Sequence, residues 1–275
     1  MLWFEKVIYA FISGLTEFLP ISSQAHQAML LRLFGQESAG AFFQFSIHAA
    51  ALLALLSCFR EELMIYSKEL RISGLSKKRR PRQPNKSRMA DISYIRTATI
   101  PLTIGFFCFP YTTRLLDDLH WMAFFMAVNG VILYLPEHIR RGNKKSLNMT
   151  PMDGVLFGAA ASLGVIPGIS RIGSATTAAA YSGADRQQSM KWVFMISIPA
   201  LSFALGFDIR DILLTGAGLE SFWAFFGVLL CSVFTYIGAF LGIMLLRFLS
   251  VNAGYAGFSY YCWGFALFML VIFLI

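Results

Sequence analysis

The stretch "GLTEFLPISSQAH", Gly14 to His26, lies in a chain whose flanks on both sides are almost wholly apolar. It holds a carboxylate (Glu17), adjacent hydroxyls (Ser22 and Ser23), a histidine (His26) and a proline (Pro20). Proline interrupts a helix and strips it of a backbone hydrogen bond. In hydrocarbon, the freed N–H and C=O groups would have no partner. A second stretch, "PGISRIGSATT" (Pro167 to Thr177), breaks the apolar pattern in the same way. Such backbone survives at membrane depth only when it is buried in protein or lines a polar cavity. The two breaks therefore decide the fold.

The rest of the chain supplies the hydrocarbon setting. Of 275 residues, 57% are hydrophobic and 14% charged, with a mean hydropathy of +0.62. That is too little charge to cover a soluble domain. Apolar segments at about 41–59, 92–110, 121–136, 190–206, 222–246 and 256–275 are read as six transmembrane helices. The broken regions, about 1–34 and 151–183, are read as re-entrant hairpins. The expected fold class is all-α integral membrane, six transmembrane helices plus two re-entrant helical hairpins. It forms a single polytopic domain with halves at about 1–136 and 151–275. The N-terminal "MLWFEKVIYAFISG" carries an early Glu5/Lys6 pair and no small-residue cleavage site, so no cleavable signal peptide is expected. Cys58, Cys108, Cys231 and Cys262 lie in apolar runs without metal spacing and read as small buried hydrophobes.

The net charge of +8 does not indicate nucleic-acid binding, because much of it lies in Arg71–Arg88 and in 140–145 ("RRGNKK"). Short basic segments between spans are cytoplasmic anchors. Two spans separate these stretches, so both fall inside, the first as a basic cytoplasmic loop at about 67–90. "YTTRLLDDLH", with Asp117 and Asp118, then falls outside. Counting along the chain, Arg186, Lys191 and Arg247 fall inside. The first broken region enters from outside and the second from inside.

The halves also resemble each other. "FLPISS" (Phe18–Ser23) pairs with "VIPGISR" (Val165–Arg171), and "IPLTIGF" (Ile100–Phe106) with "IPALSFALGF" (Ile198–Phe207). With opposite entry sides, this suggests an inverted-topology duplication, whose site lies near the midplane where discontinuous helices meet.

Facing each other, the breaks offer a chemistry. Arg171 follows Pro-Gly at the start of a half-helix, where backbone N–H groups favour an anion and a guanidinium clamps phosphate bidentately. Ser170, Ser174, Thr176 and Thr177 add hydroxyls. His26 lies three residues after Ser23 and can share a helical face with it, as nucleophile or base. Glu17 could orient His26, act as a base, or help hold a divalent cation against phosphate. The plainer alternative makes Glu17 and Arg171 a structural ion pair between hairpins, with the hydroxyls repairing broken backbone. His48 ("FSIHAAA") is a weaker site candidate, and Asp185 with Arg186 reads as a solvated helix-end pair.

At these residues the chain resembles the undecaprenyl-diphosphatase family, the bacterial bacitracin-resistance phosphatases. "GLTEFLPISSQAH" and "PGISR" carry the resemblance, with "IPLTIGF" and "SIPALSFA" in support. The resemblance implies removal of the terminal phosphate from a polyprenyl diphosphate carrier used in wall synthesis. It also implies interlocked inverted repeats and a multi-pass place in the bacterial inner membrane with the site facing outward. By the same resemblance His26, Glu17 and Ser23 are the catalytic candidates. Arg171, Ser170, Ser22, Ser174 and Thr176 are expected on phosphate, and Glu17 beside Mg²⁺ or Ca²⁺. This chain departs from the family pattern at Ser13, where an acidic or amide residue is usual, and at Ala25, Ile172, Ala175 and His48. The expected partners are the polyprenyl diphosphate lipid and the membrane, not nucleic acid, with a homodimer left open. The alternative on the same fold is a polyprenyl-phosphate transporter without hydrolysis.

Overall fold

The computed structural model describes residues 1–112, 118–139, 141–216, 218, 222–252 and 254–274. Asp117 and Arg140, both used to assign sides, lie outside the described residues. The helices are α1 (Trp3–Glu17), α2 (Ser23–Leu33), α3 (Ala41–Cys58), α4 (Arg60–Gly74), α5 (Lys86–Phe106), α6 (Phe109–Thr112), α7 (Leu119–Tyr134), α8 (Pro151–Ser162), α9 (Arg171–Tyr181), α10 (Arg186–Thr215), α11 (Phe222–Asn252) and α12 (Ala256–Leu274). Among the described residues there is no strand, only an isolated bridge between Lys144 and Ala184.

Four stretches are long and apolar enough to cross a membrane: Ala41–Cys58, Leu119–His138, Arg186–Thr215 and Phe222–Ser250. Pro151–Val165 and Ala256–Ile272 are shorter apolar helices. The segment expected at 92–110 begins earlier, at Lys86, and α5 stops at Phe106 before the short α6. Both broken regions are helix–break–helix units, α1/α2 and α8/α9. The basic segment is less of a loop than expected. α4 runs to Gly74, and Glu69 gathers Arg82, Arg88 and the Asn85 N–H around its carboxylate.

Helix packing is reciprocal between the halves. α1 lies along α11, and α8 lies along α5, while α3 faces α10 and α7 faces α12. Each helix–break–helix unit therefore packs its first helix on a long helix of the other half. The crossings are close because they use glycine: a Cβ on Gly14 would run into the Thr235 carbonyl, and one on Gly158 into the Ala98 carbonyl. Small residues at such crossings let backbones approach and gain dispersion contact where no hydrophobic force acts between helices in lipid. The Ile-Pro match does not follow this reciprocity. Pro101 sits in α5 and Pro199 in α10, which are not counterparts in it.

A buried carboxylate, Asp91, and a half-buried one, Glu137, tie the end of the bundle that carries the basic residues. Asp91 receives Gln188, Trp192, Lys191, Tyr66 and Ser146, and Glu137 receives the Tyr255 N–H and Arg186. Asp185 and Arg186 are not paired with each other. Asp185 caps α10 through the Gln188 N–H at 3.0 Å, and Arg186 reaches Glu137 at 3.3 Å. Cys231 and Cys262 are buried as expected, whereas Cys58 is half-buried and Cys108 exposed; all four are free thiols.

Candidate active site

The first break begins where α1 ends at Glu17 and passes through Pro20 to Ser22. Ser22 has φ +62°, the only positive φ at a non-glycine among the described residues. Such a conformation costs about 1–3 kcal/mol and needs support from its surroundings. His26 gives that support. Its Nδ1 lies 2.8 Å from the Ser22 carbonyl oxygen, which can only accept, so Nδ1 carries the proton. Nε2 then accepts from the Tyr261 hydroxyl at 2.6 Å, and the ring stacks on Phe265 at 4.2 Å. His26 thus faces α12, and both its ring nitrogens are taken up there and at Ser22. It meets neither Ser23, the partner that the i, i+3 spacing suggested, nor Glu17, which was expected to orient it.

In the second break, Gly168 has φ +98°, and a Cβ there would come within 2.8 Å of the Met122 carbonyl and the Phe125 side chain. Only glycine meets both the conformation and the close approach to α7. Ser170 is the N-cap of α9, its Oγ accepting from the Gly173 N–H at 3.2 Å. Arg171, the first helical residue, reaches across to the other break. Its Nη2 donates to Glu17 Oε1 at 2.9 Å, and Ser23 Oγ donates to Glu17 Oε2 at 2.6 Å. Glu17 therefore holds a cation from one break and a hydroxyl from its own.

Asn129 of α7 joins the same two breaks through their backbones. Its Nδ2 donates to the Pro20 carbonyl at 3.0 Å and its Oδ1 accepts from the Ser170 N–H at 2.9 Å. One fully buried amide thus serves a freed carbonyl and a freed N–H.

Between the breaks lies a cavity of about 870 Å³. Glu17, Ser22, Ser23, Ser170 and Arg171 line it. Its far wall adds His48 of α3 and Asp208 of α10, whose Nδ1 and Oδ2 are 2.6 Å apart. Phe106, Phe109 and Leu201 give it an apolar side. It extends to Gln36, Glu37, Asp211 and Thr215, where α3 begins and α10 ends. Arg171 Nε and Ser22 Oγ are buried with no hydrogen-bond partner. Ser174 and Thr176 are buried inside α9 and do not line the cavity, Thr176 Oγ1 donating to the Ile172 carbonyl at 2.6 Å. Ser13 is buried against neighbouring helices and does not line it either.

The donor set does not fit a resident divalent cation. Glu17 has both oxygens engaged, one of them by a guanidinium. Among the described residues no group of three or more His, Cys, Asp or Glu is placed to hold a metal. Asn129 and Asp208 went unremarked in the sequence. The signal for Asp208 was present, an ionisable residue in an apolar run, which marks a site by default. The pairing of His48 with it, across 160 positions of sequence, was not legible.

The family model for bacitracin resistance protein BacA matches residues 6–268 of this chain, and the chain belongs to that family. A Shouchella clausii protein named undecaprenyl-diphosphatase 1 is 31% identical over 264 residues, covering 94% of this chain and 92% of its own. An Alkaliphilus metalliredigens undecaprenyl-diphosphatase is 30% identical over 267 residues, covering 96% of both chains. A Treponema denticola protein of the same name is 29% identical over 273 residues.

Replacing Asn129 with leucine keeps the volume and removes its bonds to both breaks, together with one to Cys262 Sγ at 3.3 Å. Two buried backbone groups would be orphaned at about 1–3 kcal/mol each. Asn129→Leu is expected to lower thermal stability in detergent by a margin of about 2–6 kcal/mol, read by unfolding monitored through size exclusion. An unchanged melting curve would show that the breaks do not depend on this amide.

Proposed function

We propose that this chain is an integral membrane phosphatase that hydrolyses a polyprenyl diphosphate, undecaprenyl diphosphate, to the monophosphate and inorganic phosphate. That reaction recycles the lipid carrier for cell-wall synthesis and underlies bacitracin resistance. The observation that carries the reading is Glu17 holding Ser23 at 2.6 Å and Arg171 at 2.9 Å within one cavity. This is a nucleophile, its base and an anion clamp placed together.

Arg171, with its free Nε–H, and the first N–H groups of α9 hold the diphosphate. Ser22 and Ser170 add hydroxyls. Ser23 Oγ attacks the terminal phosphorus and passes its proton to Glu17. A new Oγ–P bond forms, and the bond from that phosphorus to the bridging oxygen breaks, releasing polyprenyl monophosphate. His26 acts by holding the Ser22 turn, and Ser174 and Thr176 by building α9. Glu17, with its two oxygens engaged by Arg171 and Ser23, is not left to hold Mg²⁺ or Ca²⁺, and no step is assigned to a metal.

The membrane arrangement follows from the same features. Six spans, with α5 and α12 completing the four long apolar stretches, surround the two hairpins, which enter from opposite sides as inverted repeats. The reciprocal packing of α1 on α11 and α8 on α5 supports this. The cavity extends toward the starts of α3 and α7 and the end of α10, away from the basic residues at 71–88. With those residues cytoplasmic, the site faces outward from the bacterial inner membrane. The prenyl tail leaves sideways past Phe106, Phe109 and Leu201 into lipid.

Two measurements test this. Purified protein should release phosphate from undecaprenyl diphosphate, with Arg171→Lys and Ser23→Ala each at least about 10²-fold slower. A lysine cannot replace the planar fork, so near-wild-type turnover in Arg171→Lys would remove the clamp. No release by wild type, with Arg171-dependent binding of polyprenyl phosphate, would favour a transporter. In right-side-out vesicles, with Cys58 and Cys108 replaced by serine, a cysteine at Glu37 should react with an impermeant maleimide and one at Lys78 should not. The reverse pattern would invert the orientation.

A further inference from the structure

The reaction above leaves one proton unassigned. After the first step Glu17 is protonated. To release the phosphoryl group from Ser23, Glu17 must return that proton to the departing Oγ. It cannot at the same moment accept a proton from the attacking water. A second base in the same cavity would take that proton, and His26, turned toward α12, is not there.

We propose that His48, oriented by Asp208, is that base. This rests on the reading of Ser23 as the group that takes the phosphoryl. The pair spans α3 and α10 at 2.6 Å, with only 16% and 11% of the two side chains exposed. Both residues line the cavity that Ser23, Glu17 and Arg171 line. The neighbouring amide sets the tautomer. Gln44, one turn earlier on α3, accepts from the Tyr9 hydroxyl through Oε1 and donates through Nε2 to Gln27 Oε1 at 3.2 Å. That same Nε2 lies 3.4 Å from His48 Nε2. An amide nitrogen only donates, so His48 Nε2 presents its lone pair, and Nδ1 carries the hydrogen given to the Asp208 carboxylate. A carboxylate on Nδ1 holds the imidazole with Nε2 as its accepting nitrogen, and the 3.4 Å contact from Gln44 is long enough for an incoming water to replace.

The second step then balances. Water attacks the phosphorus on Ser23 and gives its proton to His48 Nε2. The new P–O bond forms, the Oγ–P bond breaks, and Oγ takes back the proton from Glu17. The imidazolium, stabilised by Asp208, passes its proton to the leaving phosphate or to solvent at the cavity mouth. Serine, glutamate and imidazole all return to their starting states.

The test is a trapping experiment. Full-length protein in detergent is mixed with undecaprenyl diphosphate carrying ³²P in its terminal phosphate and quenched in acid. His48→Gln should turn over about 10²-fold slower or worse, yet still transfer label to protein, approaching one phosphate per chain. Wild type should hold little label, and Ser23→Ala combined with His48→Gln should hold none. Asp208→Asn should accumulate label in the same way with a smaller loss of turnover, and it is the readout if His48→Gln does not fold. A merely structural pair would slow both steps and trap nothing. Loss of turnover without labelled protein, or turnover within about twofold of wild type, overturns the assignment of His48 while leaving the phosphatase reading in place. Failure of wild type to release phosphate ends both.

Discussion

Two chain breaks buried among apolar helices must find partners for their own backbone, and the architecture depends on how they do so. Each break frees carbonyl and N–H groups that lipid cannot satisfy. Asn129 answers one group from each break, the Pro20 carbonyl and the Ser170 N–H, from a helix belonging to neither. Glu17 and Arg171 then join the breaks through their side chains. The breaks are thereby fixed against each other in the middle of the bundle, and the cavity between them is a consequence of that fixation.

This constraint makes structure and chemistry inseparable at Glu17 and Arg171. An ion pair so little exposed would be strongly destabilising to break by removing one partner, about 3–5 kcal/mol. The plainer alternative, that the pair only braces the hairpins, is therefore true as far as it goes. It does not account for Ser23 on the second carboxylate oxygen, nor for Arg171 Nε and Ser22 Oγ left without partners beside the cavity. An anion arriving there would find donors already oriented, so little reorganisation is needed at the moment of reaction. The strained Ser22 turn, held by His26, belongs to the same preorganisation.

Much of this was legible in the sequence, for a physical reason. Proline, glycine and hydroxyls inside apolar runs violate a strong rule of membrane chains, so both breaks and the residues Glu17, Ser23, Ser170 and Arg171 stood out. The positions of α3, α7, α11 and α12 followed from apolar length alone. Side-chain direction did not follow. Ser23 and His26 share a helical face by spacing, but Ser23 begins α2 and turns back to Glu17, while His26 reaches Ser22 and Tyr261, which is 235 residues away. His48 looked like a packing residue because its partner, Asp208, comes from a distant helix. Asn129 looked like one polar residue in a span, since nothing local reveals that it bonds two breaks. The Ile-Pro match does not follow the helix packing, with Pro101 in α5 and Pro199 in α10.

The central claim is that the diphosphate is bound and cut in the cavity between the two breaks. An experimental structure with a methylene-bridged, non-hydrolysable polyprenyl diphosphate tests it most directly. The account places the terminal phosphorus group between Arg171 and Ser23, with oxygens about 2.7–3.0 Å from the guanidinium and the tail running past Phe106 and Leu201. A headgroup seated beside His26 and Tyr261, or anywhere outside the space between residues 18–23 and 166–171, would contradict it.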